Sequence, residues 1–169
     1  MEKEKKRVAG LSVFAAIFLT GFKLIVGLLT GSLGILSEAL HSALDLVAAV
    51  ITYFTVRVSD KPADKHHHFG HGKTENFSAL LETILLIITC VWIVYEAINR
   101  LVSGKTHIDI TVWSYLVVII SIVVDVSRSR ALYKVARKYN SQALEADALH
   151  FSTDIWSSAV VLVGLVCAN

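Results

Sequence analysis

The sequence is short of most of what a water-soluble domain relies on. Charged residues make up 18% of its 169 positions, against about 25% in ordinary globular domains. Proline occurs once, at Pro62, and glycine nine times, which excludes collagen-like repeats and proline-rich linkers. The two cysteines, Cys90 and Cys167, stand alone in apolar stretches. They form no CxxC pair, so neither a disulfide framework nor a thiolate zinc site is encoded. No HExxH occurs, which removes the usual helical zinc-protease signature. In place of these features 54% of the residues are hydrophobic and the mean hydropathy is +0.62. Such a chain is too apolar to be disordered, and the surplus exceeds what a domain of this length can bury, so lipid must solvate much of it.

A spanning helix needs roughly 20 apolar residues. Five stretches qualify: Val8–Leu29, Leu33–Val58, Phe77–Val102, Ile110 to about Tyr133, and Ala143–Ala168. The fold class is therefore all-α, a polytopic membrane bundle of five transmembrane helices, with no room left for a soluble catalytic domain. Lys5-Lys6-Arg7 ahead of an apolar run has the form of a signal peptide. No small-x-small cleavage site closes it and four spans follow, so it reads as a retained first helix.

The basic residues give an orientation. Lys3, Lys5, Lys6, Arg7, Arg57, Lys61, Lys65, Lys73, Arg128, Arg130, Lys134, Arg137 and Lys138 fall on one side, Arg100 and Lys105 on the other, and Lys23 inside the first span. By the positive-inside rule the N-terminus is cytoplasmic. The connection at 30–32 is short enough for a tight antiparallel hairpin. The connection at 59–76 is the one long loop and is rich in histidine. The basic segment 127–142 continues the helices into the cytoplasm.

Acids and histidines inside spans are costly and face the protein interior or a water-filled cavity. The second span reads Ala39-Leu40-His41-Ser42-Ala43-Leu44-Asp45, and the fifth Ala148-Leu149-His150-Phe151-Ser152-Thr153-Asp154. Both place an aspartate four residues after the histidine of an Ala-Leu-His triplet. That step stacks the two side chains on one helical face. Each pair alone could satisfy itself by a hydrogen bond. The same pair on two spans supplies two imidazoles and two carboxylates, a donor set that suits a tetrahedral divalent metal, zinc before others. An aspartate costs about 2.5–3.5 kcal/mol at a helix centre, and metal pairing offsets that.

These residues carry a resemblance. With the Gly31-Ser32 start of the second helix, the loop Phe69-Gly70-His71-Gly72-Lys73, and Ala146-Asp147 ahead of the fifth-helix pair, the sequence resembles the cation diffusion facilitator family of divalent-metal/proton antiporters over essentially its whole length. The likeness implies that His41, Asp45, His150 and Asp154 bind the transported ion, and His at position 41 aligns the chain with zinc-preferring members. It implies a second metal site in the loop, from Asp64, His67 and His71; His66 and His68 receive no role. Lys73 matches a lysine that makes a charge contact near the family's dimer interface. The implied function is export of Zn2+ or a similar divalent cation from the cytoplasm in exchange for protons, with His41 and His150 trading protons for metal. The partners implied are the ion, protons, the lipid bilayer and a second copy in a homodimer, with no organic cofactor, no nucleic acid and no enzymatic activity.

Glu38 and Asp147, each three residues before a proposed ligand, are read as supporting or vestibule groups. Asp125 and Lys23 either pair with one another or line a water path. Glu82 and Glu96, towards the ends of the third helix, are read as interfacial or packing residues. Complete family members add a sixth span and a cytoplasmic ferredoxin-like domain. Residues 1–169 are read as the transmembrane domain alone, ending before both. The alternative function is therefore a fragment or partner subunit that binds metal without flux. Compact loops and the lack of a transit peptide point to a prokaryotic plasma membrane.

Overall fold

The computed structural model describes residues 2–59, 71–103 and 111–167. It contains five α-helices in chain order: α1 (Glu2–Thr30), α2 (Leu33–Ser59), α3 (Lys73–Ser103), α4 (Val112–Tyr139) and α5 (Gln142–Cys167). Among the described residues there is no strand. By length and composition α1 to α4 can each cross a membrane. The fifth is of similar length and packs against α4, α3 and α2. The chain is an integral membrane protein.

Two tight turns set the architecture. Between α1 and α2, Gly31 takes φ +66°, the left-handed conformation that ends a helix at low steric cost in glycine. Ser32 then starts α2, its carbonyl accepting from the Leu36 N–H at 3.1 Å. Between α4 and α5, Asn140 takes φ 49°; asparagine is among the few L-residues that visit this region. The N–H of Ser141 returns to the Ala136 carbonyl at 3.0 Å. The α1–α2 and α4–α5 hairpins pack on each other through α1 with α4 and α2 with α5, and α3 lies against α2 and α5.

The apolar interior is built largely from alanine and valine. Ala9, Val56, Leu132, Val135, Ala136, Ala143, Leu144, Ala148 and Phe151 form one cluster, and Val26, Ile35 and Val117 a second. Small residues let helix backbones approach in lipid, where packing replaces the hydrophobic drive. Large apolar side chains such as Phe14, Leu29, Val91, Trp92 and Val160 point outward, as a lipid-solvated bundle requires. Many of the other buried residues are polar.

Gly27 shows how close the first hairpin is. A Cβ there would lie 2.8 Å from Leu36 Cδ2 and 3.1 Å from the Leu36 backbone nitrogen, whereas one at Gly21 would meet nothing within 4 Å. Alanine brings the same helix-propensity gain, about 1 kcal/mol, at both positions. Overpacking costs about 1–3 kcal/mol. Gly27→Ala is therefore expected to lower the thermal midpoint in detergent while Gly21→Ala leaves it unchanged or raises it. Equal midpoints for the two variants would show that the hairpin yields at Leu36.

One end of the bundle is tied by Glu75. Its carboxylate accepts from Lys5 Nζ of α1 at 3.0 Å, Ser59 Oγ of α2 at 2.8 Å and Ser141 Oγ of the α4–α5 turn at 2.6 Å. One buried acid at the start of α3 thus holds the ends of the four other helices.

Candidate metal centre

The two His–Asp pairs meet where α2 faces α5. His41 Nε2 lies 3.9 Å from Asp45 Oδ1 on its own helix and 3.6 Å from Asp154 Oδ1 on the other. His150 Nε2 lies 3.1 Å from Asp45 Oδ1 and 3.6 Å from Asp154 Oδ2. Each imidazole therefore touches both carboxylates, and the four side chains close a ring of alternating nitrogen and oxygen donors. Donors bound tetrahedrally at zinc distances of 2.0–2.1 Å sit about 3.3 Å apart, close to these spacings. Donor atoms of His41, Asp45 and Asp154 all lie within 4.8 Å of one another. His150 joins them through Asp45. Asp45, His150 and Asp154 are buried, and His41 retains 21% side-chain exposure, which makes it the member nearest an access route.

Helical periodicity explains the alignment of each pair, and Gly31 explains the approach of α2 to the rest of the bundle. The His150 ring is also flanked edge-on by Phe151, with centroids 5.5 Å apart and planes at 90°. The opposite support of Phe151 is a buried cation: the Arg128 guanidinium carbon lies 3.6 Å from the Phe151 ring centroid. Arg128 donates to Asp125 at 3.4 Å and to Ser12 Oγ at 3.1 Å. Ser12 in turn donates to Asp147 at 3.4 Å. A chain of contacts therefore runs from α4 through α1 to α5, one turn from His150.

Several residues occupy places that differ from the expectation. Lys23 does not pair with Asp125. It binds Glu38 at 3.1 Å, because residues equidistant from the Gly31 turn face each other across the hairpin. Asp125 pairs instead with Arg128, which is 6% exposed and not part of the cytoplasmic basic segment. Of the two readings of Glu82, interfacial or packing, its burial agrees with packing. It is 2% exposed and accepts from the Ser78 hydroxyl at 3.0 Å and from Thr52 of α2. Asp147 is fully buried. Lys73 is the exposed first residue of α3. The side chain of Glu96, and Asp64, His66, His67 and His68 of the loop, lie outside the described residues. Of the proposed loop site only His71 is described; its carbonyl accepts from the Thr74 N–H at 3.0 Å and starts α3.

Pattern reading assigned Arg128 to the cytoplasmic basic segment and passed over Ser12, and both are buried. For Arg128 the signal was the acid three residues earlier.

The family model for the cation efflux transmembrane domain matches residues 10–169. Among curated proteins, the chain is 34% identical to an uncharacterised transporter of Synechocystis sp. over 93% of this chain and 50% of that protein. It is 33% identical to the manganese efflux system protein MneP of Bacillus subtilis, over 99% of this chain and 56% of the relative. It is 30% identical to the cation-efflux pump FieF of Yersinia enterocolitica, over 98% and 56%. The chain spans about half the length of the curated relatives it matches.

Proposed function

Since the chain belongs to the cation efflux family, the cation diffusion facilitators, we propose that it is the membrane domain of a secondary transporter that exports a divalent cation, zinc first, from the cytoplasm in exchange for protons. The observation that carries this reading is the closed ring of two imidazoles and two carboxylates between α2 and α5. His41, Asp45, His150 and Asp154 are the proposed ligands of the transported ion. Two nitrogen and two oxygen donors suit zinc in a tetrahedral site. Manganese, the ion in the name of one relative, is better served by carboxylates, carbonyls and water. Four protein ligands leave no open position for a reacting water, which favours a carrier over a catalyst.

Metal ligands must be deprotonated to bind. Loading the ring with metal therefore releases protons, and reprotonation on the other side favours release. His41 and His150 are the proposed proton acceptors, imidazole being the side chain that titrates nearest neutral pH. Asp147 and Glu38 flank the pathway, Glu38 in partnership with Lys23 and Asp147 with Ser12; Asp125 acts through Arg128. The loop residues Asp64, His67 and His71 are proposed as a second metal site at the cytoplasmic mouth, and Lys73 as a contact in a homodimer. With Arg128 withdrawn into the bundle, the remaining basic residues still gather where α1 begins and α2 and α4 end, which supports a cytoplasmic N-terminus. A prokaryotic plasma membrane is the proposed location.

The test is zinc uptake into reconstituted vesicles with a pH gradient imposed in either direction. Uptake should follow the gradient, with one or more protons moved per ion. Uptake indifferent to the gradient overturns the exchange. Zinc binding with no uptake in either direction overturns transport by this chain and favours a metal-binding partner subunit.

A further inference from the structure

Glu82 is a buried acid for which the metal centre has no use. It lies near the middle of the apolar stretch Lys73–Tyr95 of α3. Its partners are two hydroxyls, Ser78 Oγ at 3.0 Å and Thr52 Oγ1, both at the Oε1 oxygen. Oε2 has no hydrogen-bond partner. Other buried acids among the described residues meet a base: Asp45 and Asp154 face imidazoles, Asp125 faces Arg128, and Glu75 faces Lys5. Asp147 is intermediate. Its Oδ1 is unpartnered and its Oδ2 accepts from Ser12, which in turn accepts from Arg128. The charged groups that bear on Glu82 stand on α5, Asp147 first and His150 after it; α2 presents Thr52, and α3 itself presents Ser78.

Two counts place a proton on this acid. The first is of hydrogens. Thr52 has one hydroxyl hydrogen and two oxygens in reach, Glu82 Oε1 and the Ala48 carbonyl at 3.2 Å. A proton on Oε1 satisfies both contacts at once, with Glu82 donating to Thr52 and Thr52 donating to Ala48. Oε2 is then a neutral carbonyl oxygen, which is less costly to leave unpaired than a charged one. The second count is of charge. A buried acid with no cation in contact neutralises rather than staying ionised. Asp147 adds a like charge from α5 and, backed by Arg128 through Ser12, is the member of the two that keeps it. Position gives the proton a use. Thr52 lies two turns along α2 from Asp45, and Asp147 one turn ahead of His150 on α5. A movement that parts α2 from α5 to admit or release an ion therefore disturbs the packing that keeps water from Glu82. We propose that Glu82 binds a proton outside the metal ring, holds it while α3 is packed on α2 and α5, and gives it up when that packing opens, so that each cycle carries one proton beyond those of the imidazoles. The Oε1–H bond breaks, the proton passes to water on the open side, and the carboxylate takes a new proton from the other side before the bundle closes. The part Glu82 plays in the exchange rests on the export reading above; its bound proton does not.

The experiment records infrared difference spectra of the metal-free full chain at neutral pH, reading the carbonyl stretch that a protonated carboxyl has and a carboxylate lacks. The variants are Glu82→Gln, Asp147→Asn and Glu145→Gln, the last an exposed acid of α5. Glu82→Gln should remove one such band, and the other two should keep it. Loss of no band with Glu82→Gln, or loss of the band with Asp147→Asn in its place, overturns the proposal. Glutamine has the shape of the neutral acid and an N–H to give Thr52. The variant should therefore melt no lower than wild type and bind zinc as tightly. A Glu82→Gln protein that does not fold overturns the proposal too, because a neutral group then fails to replace the acid. In reconstituted vesicles, a pH dye and a zinc dye together count protons per ion, and Glu82→Gln should move about one fewer than wild type. Equal counts overturn the part of Glu82 in the exchange. Wild type that takes up no zinc overturns the export reading instead, and the infrared band still decides whether Glu82 holds the proton.

Discussion

Asp154→Ala is expected to lower metal affinity by more than a hundred-fold, to end uptake, and to abolish the stabilisation that zinc gives the protein. Asp154 lies 3.6 Å from both His41 and His150, so its carboxylate bridges the two imidazoles. Losing a group that merely supports a ligand costs 10–100-fold in metal affinity; losing a direct ligand should exceed that. It also dismantles the His41–Asp45–Asp154 set, leaving two imidazoles and one carboxylate. In the metal-free protein Asp154 faces both imidazoles, which take up protons as the metal leaves, so its loss leaves them with Asp45 alone. Metal at a hundred times its dissociation constant stabilises a protein by about 2.7 kcal/mol. Wild type should therefore melt higher with zinc and lower after chelation, while Asp154→Ala melts at one temperature in both. Asp154→Asn keeps the shape without the charge and should fall between. Calorimetric titration together with melting curves checks both halves. A variant that still binds zinc at wild-type affinity would remove Asp154 from the centre.

The legible part of this site was the part written in one helical turn. His41 with Asp45 and His150 with Asp154 repeat one costly pattern on two spans, and helix geometry alone aligns each pair. The five helices were legible for a similar reason, since long apolar runs in a chain with one proline leave few alternatives. The pairings between helices were not. Thr52 and Glu82 are 30 residues apart, and Ser12 and Arg128 are 116 apart; only the packing of α1 on α4 and of α2 on α3 brings them together. Lys23 with Glu38 could have been read from the hairpin, because both lie about seven residues from Gly31. Arg128 misled for a physical reason. A basic residue near the end of a span ordinarily reaches the headgroups, and here an acid one turn earlier and the face of Phe151 hold it inside.

Arg128→Met is expected to destabilise the bundle by about 3–5 kcal/mol, the usual cost of stripping a buried charge of its partner. The charge left behind is Asp125, 6% exposed. Its counter-ion also holds Ser12 and covers Phe151. Phe151 in turn abuts the His150 ring, so the same substitution should loosen a proposed ligand and weaken zinc binding several-fold. Replacing both members, Asp125→Asn with Arg128→Met, removes the uncompensated charge. A buried ion pair exchanged as a unit for neutral groups is often neutral in stability, so the double variant should recover most of the loss. A coupling between the two sites well above the 0.5 kcal/mol expected of independent positions identifies the pair. Arg128→Lys separates charge from shape. It keeps the cation for Asp125, but an ammonium lacks the planar fork that reaches Ser12 while stacking on Phe151. It should therefore hold stability better than zinc affinity. Unfolding in mixed micelles and zinc titration of wild type, Arg128→Met, Asp125→Asn, the double variant and Arg128→Lys decide the matter. If Arg128→Met is as stable as wild type, or if Asp125→Asn gives no recovery, the Asp125–Arg128 pair is not what closes the interior of α4 onto α1 and α5.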